Sequence, residues 1–95
     1  MRAIYKYELP FKDEVSIQMP FGSEIVKCGV QGMKGNKPNI CVWAVVDPER
    51  EMETYHFCIR GTGHPLPEDD GYRYIDTVFD RQFVWHILQK KVRAD

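Results

Sequence analysis

Apolar residues in this chain recur at every second position, in short runs that proline, glycine and aspartate interrupt. A strand sends alternate side chains to opposite faces, so this period selects half-buried strands over helices, whose apolar positions recur three and four apart. From Met1 to Leu9, Ala3, Tyr5, Tyr7 and Leu9 fall on one face against Arg2, Lys6 and Glu8 on the other, with Ile4 the exception. Pro10 ends that run, and Val15-Ser16-Ile17-Gln18-Met19 repeats the pattern before Pro20-Phe21-Gly22-Ser23 turns the chain. Glu24 to Gln31 sets Val26, Cys28 and Val30 against Lys27, Gly29 and Gln31. Gly32 to Pro38 has loop chemistry throughout and reads as a hairpin connection with an exposed basic tip.

Asn39 to Val46 is apolar on both faces, which predicts a central strand covered on both sides. Asp47-Pro48-Glu49-Arg50-Glu51 turns the chain into a run in which Tyr55, Phe57 and Ile59 alternate with His56, Cys58 and Arg60. Tyr72 to Phe79 and Gln82 to Leu88 read as two more strands joined by a tight turn at Asp80-Arg81. Trp85, Leu88 and Val92 also fall at near-helical spacing, so a helix over 81–93 is the rival; the aromatic and β-branched run Phe83 to Ile87 favours a strand. The tail from about residue 89 is charged, and reads as frayed or as a short C-terminal helix. The expected fold is therefore all-β, a small antiparallel sandwich or barrel of about six to seven strands.

The 95 residues suit one domain with one core. A net charge of −1 gives no electrostatic invitation to nucleic acid or to an anionic membrane, although Lys34, Lys37, Lys90, Lys91 and Arg93 are numerous enough to converge. No apolar run approaches membrane-spanning length, and the first residues lack the apolar core of a signal peptide, so a cytosolic protein is expected. The three cysteines, Cys28, Cys41 and Cys58, sit in apolar runs at unequal spacing; an odd count argues against a disulfide framework.

Chemistry concentrates in Arg60-Gly61-Thr62-Gly63-His64-Pro65-Leu66-Pro67. Two glycines allow unusual backbone angles and two prolines fix the exit, so the loop should hold one shape. Glycine N–H groups with the Arg60 fork and His64 suit a small anionic ligand such as a phosphate, yet the longer glycine turn, lysine and helix of a true phosphate loop are missing. The competing reading is a structural corner in which Arg60 pairs with Glu68 or Asp69. His56 and Cys58 share a strand face and His64 or His86 could join them, but no metal-ligand spacing is present and no metal or other cofactor is assigned. Neither a Cys58 nucleophile nor an Asp69-Asp70 acid–base pair has the neighbours it would need, so no catalytic residue is assigned. Trp43, Phe57, Phe79, Phe83 and Trp85 are candidates for an exposed partner anchor, although core packing accounts for most of them, and Phe21, in its Pro-Phe-Gly turn, is the aromatic best placed to face solvent. An open sheet edge or exposed aromatic patch on so short a chain also invites a second copy, so a homodimer is among the expected partners.

Tyr5-Lys6-Tyr7, Cys41 to Pro48, Gly61-Thr62-Gly63-His64-Pro65 followed by Pro67, and Val84-Trp85-His86-Ile87 together resemble an uncharacterised family of small bacteriophage and prophage proteins with a Gly-Thr-Gly-His-Pro signature. The resemblance covers nearly the whole chain. The Gly32 to Pro38 loop is longer here, and the charged tail after Leu88 looks like an extension past the family's usual end. The resemblance implies phage origin and a place in the host cytoplasm or the virion, and it carries over no catalytic residues. The leading expectation is a non-catalytic binding module that engages a host protein, to redirect metabolism or block a defence system. Two alternatives stand beside it: a binder of a nucleotide-type ligand at the Arg60–His64 loop, and a structural or assembly component of the virion.

Overall fold

The computed structural model describes residues 1–68 and 71–90, and over them the chain is all β. Its strands are β1 (Ala3–Leu9), β2 (Glu14–Pro20), β3 (Glu24–Lys34), β4 (Lys37–Val46), β5 (Met52–Gly61), β6 (Tyr72–Asp80) and β7 (Phe83–Lys90). They make two antiparallel sheets, ordered β1-β4-β3 and β2-β5-β7-β6, packed as a small sandwich. The alternating runs of the sequence are these seven strands. Residues 83–90 are strand rather than helix, so Gln89 and Lys90 of the expected tail lie in β7; a helix beyond them falls outside the described residues.

The period-two pattern works because each strand offers one face to a shared interior. Leu9, Val15, Met19, Cys28, Ile40, Val42, Val46, Tyr55, Phe57, Ile59, Val78 and Ile87 are all buried in one cluster between the sheets. Each large apolar side chain removed from water contributes about 1.5–3 kcal/mol, which is what opposes the chain entropy of a domain this small. Tyr55 carries its hydroxyl into this interior and satisfies it locally, donating to the Pro20 carbonyl at 2.9 Å and accepting from the Ser23 N–H at 3.1 Å. That pins the Pro20–Ser23 turn against β5.

The structure departs from simple alternation in three places. A bulge between Ile25 and Lys27 leaves Val26 exposed and turns Ile25 toward the core, so Val26 is not the inward residue that the alternation predicts. The stretch from Gly32 to Pro38 is mostly strand: β3 and β4 continue to a two-residue turn at Gly35-Asn36, with the positive φ of Gly32 and Gly35 absorbing a register shift and the turn. The tip is basic as expected, but Lys34 folds back to Glu8 at 2.6 Å. Finally, β4 is central within its sheet, yet the described residues cover its outer face only in part: Cys41 there is buried, Trp43 and Val45 are half-buried, and Trp43 lies over Gly29.

One side of the sandwich is closed by a side chain. The Cys28 N–H of β3 donates to Asp76 Oδ2 of β6 at 2.9 Å, and Asp76 Oδ1 accepts from the Thr77 N–H at 2.8 Å. Burial alone would push the Asp76 carboxyl up; the two backbone donors, with Lys27 beside them, together hold it below its ordinary value. At the other ends of the two sheet orders stand the edge strands β1 and β2, which the turn from Pro10 to Asp13 connects.

Candidate functional site

The Arg60–His64 loop begins at the last residues of β5 and is held from both flanks. Arg60 points to the outer face of the four-stranded sheet, where its Nε donates to the Pro65 carbonyl at 3.0 Å and its Nη1 to the Asp13 carbonyl at 2.8 Å. Its Nη2 stands 3.8 Å from Glu14, and the side chain is 15% exposed. The guanidinium therefore staples the loop to the β1–β2 connection, and its charge partner is Glu14 rather than the expected Glu68; Asp69, with Asp70, lies outside the described residues. An anion at Arg60 would have to displace two backbone carbonyls, each losing a charge-assisted hydrogen bond.

The other flank is gripped by His86. Its Nε2 is hydrogen-bonded to Thr62 Oγ1 at 2.8 Å and its Nδ1 to Thr77 Oγ1 at 3.0 Å, and Thr77 in turn meets the Tyr74 hydroxyl at 2.8 Å. This chain of hydroxyls and imidazole runs across β6 and β7 into the loop. Within the loop the His64 N–H closes a turn on the Gly61 carbonyl at 3.1 Å, and Gly63 takes a φ of 88°, which only glycine adopts at no steric cost. The single shape expected from the glycines and prolines thus has named restraints.

His64 itself is exposed, with its ring packed over Gly61, and beside it lies a hollow of about 350 Å³ lined by Gly61, Thr62, His64, Gln82, Phe83 and Trp85. The far wall is aromatic. Phe83 stacks on Trp85 with centroids 6.1 Å apart, and Trp85 meets the edge of Phe11 at 4.9 Å. This column rises from the rim of the core to Phe83, which is 46% exposed, and Phe79 on the same β6–β7 hairpin is 70% exposed. The indole Nε1 of Trp85 is buried with no hydrogen-bond partner among the described residues, a cost of the kind found where a ring serves something besides stability.

The structure therefore brings Arg60, Gly61, Thr62, Gly63 and His64 together and sets Phe83 beside His64 in one hollow, while Phe79, paired with Val84, faces the other side of the β6–β7 hairpin. The exposure of these two aromatics has two causes: Phe83 sits at the hairpin's end, beside the two-residue Arg81-Gln82 connection, and Phe79 points outward, opposite in parity to the buried Val78 and Asp80. The available signal was the tight turn expected at Asp80-Arg81, which the structure sets one residue later because Asp80 still pairs with Phe83. Phe21 behaves differently. It is half-buried, its ring carries the Arg50 guanidinium at 5.3 Å, and it lies at the other end of β5 from the loop.

The residues considered for metal or nucleophilic chemistry are engaged otherwise. His56 Nδ1 is hydrogen-bonded to Ser16 Oγ at 2.7 Å, both His86 nitrogens are occupied, and no group of three His, Cys, Asp or Glu converges among the described residues. Cys58 is fully buried and burial raises its thiol pKa, as it does for Cys41. Cys28 is pushed up to about 12 by burial and the nearby Asp76 charge. All three thiols are free. No helix of the described residues is long and apolar enough to cross a membrane.

No curated protein and no solved structure matches this chain. A family model does, and its match runs through residue 95, so the charged tail after Leu88 falls within the family's extent and is not an extension beyond it. With residues 1–95 matched, the chain belongs to the family described as Domain of unknown function (DUF7352).

Proposed function

We propose that this chain is a small phage-encoded accessory protein, a non-catalytic binding module that engages a host protein in the host cytoplasm through the Arg60–His64 loop and the neighbouring β6–β7 hairpin. The observation that carries the reading is the Phe11–Trp85–Phe83 column ending in an exposed ring beside His64. A rigid aromatic standing in solvent next to a restrained loop loses little conformational freedom on binding, which is the usual make-up of an interface anchor. The phage setting rests on the resemblance in Gly61-Thr62-Gly63-His64-Pro65 and the flanking strands. A partner bound here would seat an apolar side chain in the hollow and meet Thr62, His64 and Gln82 at its polar margin.

Affinity capture from host lysate tests this, using wild type beside a Phe83→Ser/His64→Ala variant of matched melting temperature. One host protein held by the wild type and released by the variant supports the proposal. Retention by both would move the site elsewhere, and enrichment of the chain in purified phage particles without any host partner would favour a virion component.

A further inference from the structure

β1 and β2 stand as edge strands on the same side of the sandwich. β1 is an edge strand, paired through its backbone with β4 alone among the described residues, and that pairing runs unbroken from Ala3 to Leu9 without the bulge or internal proline that commonly blocks an edge. Tyr5 shares the inward parity of the buried Leu9, yet it is 43% exposed, and its ring lies 6.5 Å from that of the half-buried Tyr7. Two tyrosines therefore line the lip of an unpaired strand.

The outer face of the same strand carries Lys6 and Glu8, opposite charges two residues apart. That spacing is self-complementary. If two copies of β1 run antiparallel with Tyr7 facing Tyr7 of the partner subunit, Lys6 faces the partner's Glu8 and Glu8 faces the partner's Lys6. A register centred on Lys6 or on Glu8 would instead set like charges opposite each other, which destabilises a cross-strand pair. Both groups are already ordered: Lys6 Nζ donates to Gln31 Oε1 at 3.0 Å, and Glu8 lies between Lys34 Nζ at 2.6 Å and Asn39 Nδ2 at 3.1 Å. On the inner side the same register sets Tyr5 beside the partner's Leu9 and joins four tyrosines at the lip. The other edge on this side, β2, offers Glu14, Ser16 and Gln18 on its outer face; Glu14 already faces Arg60 of β5, and the strand itself carries no cation to pair with the acid of a second copy.

We propose that two copies of this chain associate through β1, antiparallel about a two-fold axis at Tyr7, so that Lys6 faces Glu8 of the partner subunit. Two three-stranded sheets then become one continuous sheet of six strands. This inference is independent of the loop-and-hairpin site, which lies on the other sheet.

Sedimentation equilibrium of the full chain reads the mass: twice the 11.2 kDa of one chain is expected at high concentration. The register is read by single cysteines. Directly opposed residues have Cα atoms about 4.5–5.5 Å apart, inside the roughly 4.4–6.8 Å that a disulfide spans. Tyr7→Cys should therefore cross-link under mild oxidation, while Tyr5→Cys, about 13 Å from its own counterpart, should not. The native cysteines are buried and do not compete. Lys6→Glu should weaken dimerisation about tenfold, and Lys6→Glu/Glu8→Lys should recover most of that loss. A single-chain mass at every concentration overturns the proposal. So does equal cross-linking of Tyr5→Cys and Tyr7→Cys, a charge swap that recovers nothing, or preferential cross-linking of Ser16→Cys in β2.

Discussion

His64 rests its ring on the bare α-carbon of Gly61: a Cβ at residue 61 would stand 3.0 Å from both Cε1 and Nδ1 of the imidazole and 3.4 Å from Cζ3 of Trp85. The absence of a side chain at one position thus sets where an exposed side chain lies three residues later. Gly61→Ala separates the loop's shape from the domain's stability. The imidazole is exposed and can swing away, so the variant should keep its folding free energy within about 1 kcal/mol in urea denaturation. Capture of the partner should fall with the displaced His64.

Arg60 should behave in the opposite way. Removing a guanidinium that donates to the Asp13 and Pro65 carbonyls leaves both without that donor, and Arg60→Ala should cost about 1–3 kcal/mol of stability. Arg60→Lys should restore little, because a single ammonium cannot reproduce the fork that reaches both carbonyls. Chemical denaturation of the two variants decides it, and an unchanged midpoint for Arg60→Ala would contradict the staple.

Much of this was readable in the residues, and what was not has a physical reason. Alternation marked strands that have one face in the core, the aromatic and β-branched run Phe83 to Ile87 marked β7, and the two-faced apolarity of Ile40 to Val46 marked the middle strand of a sheet. The Val26 bulge escaped because one inserted residue leaves the local alternation of apolar types nearly intact while reversing which residues point inward. The Arg60–Asp13 staple and the Thr62–His86–Thr77 chain join residues far apart in sequence, and only strand order and register bring them together. Phe83 looked like core because its neighbours are apolar; its place at the end of a two-residue hairpin decides otherwise.

The Asp76 junction predicts a pH dependence. Its carboxyl is held below the ordinary value of 3.8, so the stabilisation is fully present above that value and is lost as pH falls through the lower folded-state value. Acid should accordingly open the β3–β6 seam, seen as faster hydrogen exchange at the Cys28 N–H. Asp76→Asn, which weakens the hold on that N–H and removes the Lys27 pairing, should cost about 1–2 kcal/mol at neutral pH and flatten the acid limb of the stability curve.

The thiols should be silent until the sandwich opens. Burial raises the pKa of all three, Cys28 to about 12, so the reactive thiolate is scarce and shielded at neutral pH. A thiol reagent should label none of the three in the native protein and all of them in denaturant. Fast native labelling of any one would show that its strand opens locally.

The binding account turns on the exposed end of the aromatic column, and the affinity of the captured partner for wild type, Phe83→Ser and Phe21→Ser tests it most directly. An anchor of this kind contributes about 2 kcal/mol or more, so Phe83→Ser should weaken binding about thirtyfold, while Phe21→Ser, at the opposite end of β5, should leave it unchanged. Equal affinity for wild type and Phe83→Ser, or a loss confined to Phe21→Ser, would contradict the assignment of the loop and hairpin as the binding site.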